Sequence, residues 1–154
     1  MNRSHNKGFS LVELIFFIVV VGVGVAGIIL VSNTVVKSSA DPLVRKQTVA
    51  VAESLLEEIL LKEYAKPPGS SVVGFGGGGA RNLYDCVDDF NGYATSGGVV
   101  DVSGVAVSGL SSYDISPAVA VTTVTLGSIS VKRVVVSVTG PQGAISLVGY
   151  RGSY

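Results

Sequence analysis

Glu13 is the first residue whose type and place call for chemistry. It stands at the edge of an uncharged, almost wholly apolar run, LIFFIVVVGVGVAGIILV, from Leu14 to Val31. A carboxylate there is costly to desolvate, so it needs a cationic partner, a function, or a place at headgroup depth. A second cluster lies mid-chain in Asp85-Cys86-Val87-Asp88-Asp89-Phe90-Asn91-Gly92. The carboxylates of Asp85, Asp88 and Asp89 and the amide of Asn91 make a calcium-type oxygen set. The spacing is not that of an EF-hand, and Asp and Asn before Gly are ordinary turn formers. A structural loop is therefore the preferred reading and calcium the lesser one. No other metal and no cofactor is expected. Cys86 is the one cysteine, so no intrachain disulfide can form. It reads as a small apolar filler or, in an oxidising compartment, as an intermolecular bridge. The one histidine, His5, precedes the apolar run. That leaves no imidazole for a Ser or Cys nucleophile or a zinc site, and the chain is not expected to be an enzyme.

The elements that position these groups follow from patterning. At about 1.5 Å per residue, the Leu14–Val31 run with its flanks can cross a hydrocarbon core of about 30 Å. Arg3 and Lys7 precede it and no basic cluster follows directly, which places the N-terminus in the cytoplasm and the remainder outside. A cleaved secretory signal has a shorter run ending in a small-residue site. Here the run continues past Ala26-Gly27 to Val31, so the segment reads as retained. Gly22, Gly24 and Gly27 fit either the ordinary tolerance of glycine in membrane helices or close helix packing.

Basic residues, then Gly8, Phe9 and Glu13 in the string KGFSLVEL, then an apolar helix, resemble the processing site of type IV prepilins and of type II secretion pseudopilins. The resemblance implies a membrane aspartyl peptidase that cuts after Gly8 and methylates the new amine of Phe9. It also implies that Glu13 pairs with the terminal amine of a neighbouring subunit. That pairing is physically sensible, because a buried carboxylate becomes tolerable when a cation meets it in low dielectric.

Beyond the apolar run, Asp41 can cap and Pro42 suits a first helical turn. Val44, Thr48, Val51, Ala52, Leu55, Leu56, Ile59 and Leu60 recur at spacings of three and four, opposite Glu53, Glu57, Glu58, Lys62 and Glu63. Ser38 to Pro42 is a place for a kink, and Pro67-Pro68-Gly69 for a stop. GSSVVGFGGGGAR, from Gly69 to Arg81, reads as a flexible linker; no Gly-Lys-Ser/Thr follows, so it is not a nucleotide loop. Val99–Val107, Ala118–Leu126, Ser130–Val138 and Ala144–Tyr150 read as strands, with Val134, Val136 and Val138 on one face. Thr139-Gly140-Pro141-Gln142-Gly143 reads as the hairpin turn joining the last two.

The fold class is α+β: a long N-terminal helix, transmembrane then amphipathic, packed on a small antiparallel sheet, as in type IV pilins. The divisions are 1–8 leader, 9–35 membrane or filament-core helix, 36–66 amphipathic helix, 67–92 linker loop, and 93–154 sheet region. VDDFNGY at Val87–Tyr93, KRVVVSVTGPQG at Lys132–Gly143 and ISLVGYRGSY at Ile145–Tyr154 resemble minor pilins of the mannose-sensitive haemagglutinin (MSHA) pilus system. The resemblance implies an inner-membrane prepilin whose C-terminal domain is periplasmic. Its implied partners are prepilin peptidase, other pilin or pseudopilin subunits and an inner-membrane assembly platform. Alternatives are a minor pseudopilin or a tip pilin for adhesion or DNA uptake. The formal net charge is zero. Past Lys66 there is no basic stripe either, with Arg81, Lys132, Arg133 and Arg151 set against Asp85, Asp88, Asp89, Asp101 and Asp114. No nucleic-acid partner is expected.

Overall fold

A computed structural model describes residues 10–77 and 80–153, the side chains of 34 and 36–41 excepted. The chain divides between Asp41 and Pro42 into two compact units. A single helix assignment, α1, runs Leu11–Leu60 and includes Pro42, so Asp41 does not open a separate helix. In the first unit the stretch Leu11–Asn33 has 23 residues; its most apolar 18-residue window has mean hydropathy 3.2, and none of that window is buried by the chain itself. It is long and apolar enough to cross a membrane. A Cβ on Gly22, Gly24 or Gly27 would meet nothing within 4 Å, so no contact among the described residues calls for glycine there.

The second unit begins with the remaining turns of α1. Thr48, Ala52, Leu55 and Ile59 are buried at spacings of three and four, flanked by half-buried Val44, Val51, Leu56 and Leu60. This is the stripe expected of a helix with one apolar face. Thr48 donates its hydroxyl to the Val44 carbonyl at 3.0 Å, which satisfies the polar atom inside the core.

α1 ends at Leu60, short of the Lys66 end and the proline stop expected from sequence. Tertiary pairing ends it earlier. Glu63 donates its N–H to the Asp85 carbonyl at 3.3 Å and accepts from Val87 N–H at 3.0 Å. Arg151 Nε donates to the Lys62 carbonyl and Lys62 Nζ to the Tyr84 carbonyl. These bonds take up backbone groups at the helix end, where intrahelical partners run out.

Four strands form one antiparallel sheet: β1 Asp114–Ile115, β2 Ala120–Leu126, β3 Ile129–Gly140 and β4 Gly143–Gly152. β3 is central, pairing with β1 and β2 along one edge and β4 along the other. The β3–β4 hairpin closes with Gly140 opposite Gly143, whose φ of 102° suits glycine. Val134, Val136 and Val138 are fully buried and share a core with Ala52, Leu55 and Ile59. Gly149 allows close approach of sheet and helix: a Cβ there would lie 2.8 Å from Leu60 Cδ1.

Two expectations change. Residues 99–107 are not a strand; only an isolated bridge joins Val100 to Ala106. Asp101 Oδ1 accepts the N–H groups of Ser103 and Val105 at 2.8 and 2.9 Å, and Gly104 takes a φ of 86°. The Asp side chain supplies a local turn that competes with a ladder. The glycine-rich stretch is not a free linker over its described residues either. Phe75 donates its N–H to the Asp89 carbonyl at 2.8 Å and meets Tyr93 edge-on, with ring centroids 5.4 Å apart.

Candidate functional site

The chemistry-bearing residues fall into one group in each unit. In the first unit Glu13 lies in the first turn of α1, where the helix dipole favours a carboxylate. Its side chain is exposed, with exposed Leu11, Val12, Leu14, Ile15 and Phe16 around it. Gly8 and Phe9 lie outside the described residues. A carboxylate followed by a membrane-length apolar helix is suited to recognising a cation at one depth in lipid or in a helix bundle. Any other register leaves the charge desolvated and unpaired.

Residues 3–29 match the prokaryotic N-terminal methylation motif. The match spans Gly8, Phe9 and Glu13 and most of the apolar helix. The N-terminal segment thus carries a prepilin-type methylation motif, which supports a type IV pilin-like family in general. The chain's long N-terminal apolar helix, and the packing of the later helical turns on a small antiparallel sheet, agree with that motif. The chain matches no curated protein and no solved structure, so the motif describes the N-terminal segment and leaves the sheet region to be read from its own geometry.

In the second unit the acidic loop does not gather its four sequence candidates around one point. Asp88 turns outward and accepts Lys132 Nζ at 2.6 and 2.5 Å. Asn91 Oδ1 accepts the Val121 N–H at 3.0 Å, tying the loop to β2. Asp85 Oδ2 accepts the Ser70 hydroxyl, while its buried Oδ1 has no hydrogen-bond partner among the described residues. Asp89 is buried, with 4% of its surface exposed. Its Oδ2 accepts the N–H groups of Asp85 and Cys86 at 3.1 and 3.2 Å, and its Oδ1 lies 3.1 Å from Lys66 Nζ. Burial works against the charge of Asp89. Lys66 and the two N–H groups outweigh it and hold the carboxyl below its ordinary value.

Asp85, Cys86 and Asp89 do converge, with one ligand-type atom each within 4.8 Å of the others. Two facts bear on metal binding there. The Lys66 ammonium already neutralises Asp89, and burial pushes the Cys86 thiol above its ordinary value. A thiol held in that form is a poor metal ligand. The loop does mechanical work: with Lys66, Ser70 and Lys132 it joins the segment after α1, the glycine-rich stretch and β3.

A second polar cluster was not singled out from the sequence. Arg81 Nε lies 3.2 Å from Glu58 Oε1, an ion pair without the alignment of a hydrogen bond. The guanidinium donates to Tyr93 Oη at 3.3 Å and the Val100 carbonyl at 3.2 Å, and lies over the Tyr93 ring at 5.4 Å. Burial raises Glu58 above its ordinary value, and Arg81 and Lys62 pull it back only partly. The pair forms one wall of a groove of about 400 Å³, otherwise lined mainly by Val51, Leu55, Val99, Val107 and Leu110. The available signal was Arg81 itself, the one charged residue between Lys66 and Asp85.

Proposed function

We propose that the chain is a structural and assembly subunit, a minor pilin of an MSHA-like type IV pilus. One observation carries this reading: the methylation motif coincides with a membrane-length helix whose first turn holds Glu13. In this reading prepilin peptidase removes residues 1–8 and methylates Phe9. The precursor waits in the inner membrane with its N-terminus cytoplasmic and its sheet domain periplasmic, and an assembly platform delivers it to the filament. Glu13 then meets the amine of a neighbouring subunit, and the apolar helix exchanges lipid for other helices. The role is structural and not enzymatic. The MSHA assignment is favoured by the three strings from Val87 to Tyr154 named above.

The test is processing and incorporation. Replacing Gly8 should leave a full-length precursor that stays in the membrane. Glu13→Ala should be processed but enter filaments at least about tenfold less, as expected for an unpaired buried amine. Its sheet domain should remain as protease-resistant as the parent's. Filaments that take up an uncleaved precursor at normal levels would refute the proposal. A parent chain found only among the pseudopilins of a secretion machine would refute its pilus assignment.

A further inference from the structure

Arg133 lies on the face of the sheet turned away from α1. Val134, Val136 and Val138 face the helix, so Arg133 and Val135 face outward by the two-residue period of a strand. Cross-strand register places Thr122 and Tyr150 beside Arg133, and Ala120 and Val148 beside Val135. Leu126 pairs with Ile129 at the far end, and both are more than half exposed. No Asp or Glu occurs in the sequence after Asp114. Arg133 is half-buried, and its side chain makes no hydrogen bond or ion pair among the described residues. A lone guanidinium with a tyrosine among exposed apolar side chains has the composition of an interface centre lacking its acid.

The acid is available on the same chain. Glu53 and Glu57 stand one turn apart on the exposed side of α1, neither in an ion pair among the described residues. Ala50 and Leu61 continue that face at helical spacing, and Leu61 is the most exposed large apolar residue described. Lys46 lies two turns before Glu53, about 10 Å away along the axis, so the carboxylates dominate the middle of the face. Arg133 faces away from α1, so Glu53 and Glu57 of the same chain are turned from it.

We propose that the outer face of the sheet receives the Glu53–Glu57 face of α1 from a second copy of this chain, with Arg133 between the carboxylates and Val135, Val148 and Tyr150 against the helix. The sheet is then covered by its own helix on one side and the neighbour's on the other. The contact is head-to-tail: each copy uses a sheet face and still offers a helix face, so further copies can add, closing a ring or propagating a filament according to the rotation between copies. The role of that propagation in a filament rests on the function proposed above; the pairing itself does not.

The experiment uses the full chain in cells. Val148→Cys in one copy is co-expressed with Glu57→Cys in another, and a bis-maleimide is added; buried Cys86 stays in place and the parent chain is the control. A mixed dimer is expected. Arg133→Glu in the Val148→Cys copy should lower its yield about tenfold or more through like-charge contact. Glu53→Lys in the other copy should restore it. No mixed dimer, a mixed dimer unaffected by Arg133→Glu, or cross-linking only between two Val148→Cys copies each overturns the proposal. Filament incorporation is read in the same cells. Normal incorporation without the mixed dimer removes this surface and keeps the pilin reading. A charge-dependent mixed dimer in cells whose filaments exclude the chain does the reverse.

Discussion

At the scale of single residues, Asp89 and Glu58 show how neighbours decide what a buried carboxylate does. Asp89 accepts two backbone N–H groups and meets Lys66, and its pKa falls below the ordinary value of 3.8. Glu58 is shifted upward mainly by burial despite Arg81. The consequences have opposite sign. The contribution of Asp89 is present above its unfolded pKa and is lost as the pH falls through its folded value. For Glu58, stability is fully present below its unfolded value and declines as the pH rises through the folded one. Asp89→Asn should therefore destabilise the protein at pH 7 by roughly 1–3 kcal/mol, the range for disrupting a buried hydrogen-bonded charge. The gap from the parent should close as the pH drops below about 4, the region of an unperturbed Asp. Chemical denaturation of the detergent-solubilised chain at pH 7 and pH 3 measures this; a pH-independent gap would contradict the assigned role. Neither residue's environment is readable from sequence, because Lys66 and Arg81 reach them through folded loops. Glu13 is different. Its significance depends on local spacing from Gly8 and on the apolar run after it, so it is legible in the string KGFSLVEL.

At the scale of elements, the amphipathic half of α1 was legible because its stripe follows helical spacing. Every apolar position chosen from sequence is buried or half-buried on the core side. Val134, Val136 and Val138 were legible for the same reason, with a period of two. Residues 99–107 carry the same valine-rich composition but turn back at Asp101 and Gly104. Strand propensity reports fit to a half-buried surface, and no neighbouring strand supplies one there. The glycine-rich stretch misled in another way. Gly74 reads as flexibility in sequence but serves close approach: a Cβ there would lie 2.6 Å from Asp89 Cα, a backbone atom that cannot rotate aside. Gly74→Ala should therefore weaken the Phe75–Asp89 bond and the Phe75–Tyr93 contact, cost about 1–3 kcal/mol, and open residues 67–77 to protease. Ser71→Ala, at an exposed position, is the control. Equal protease resistance of the two variants would show that the stretch is not held at Gly74.

At the scale of the whole molecule, the chain comprises an apolar helical unit with no buried face among its described residues and a second unit, from Pro42 onward, that contains the hydrophobic core. All buried apolar members of that core lie at or beyond Ala52, and buried Thr48 also lies beyond Pro42. A chain beginning at Pro42 should accordingly be soluble and unfold in one cooperative transition, with a midpoint within about 5 °C of the detergent-solubilised parent's, a difference of about 1 kcal/mol. Calorimetry checks this, and a broad, non-cooperative melt would show that the second unit depends on the first. Patterning along the chain specifies the membrane-length helix, the methylation motif that spans Gly8, Phe9 and Glu13, the apolar helix face and the central valine strand. These depend on composition and on spacings of a few residues, which operate before any long-range contact forms. Tertiary structure alone decided that α1 stops at Leu60, that Asp88 and Asn91 tie the acidic loop to β3 and β2, and that Arg133 is left without an acid on the outer sheet face. Each of those outcomes depends on groups brought together from distant parts of the chain, and the energy of such contacts is set by burial and geometry that local patterning does not encode.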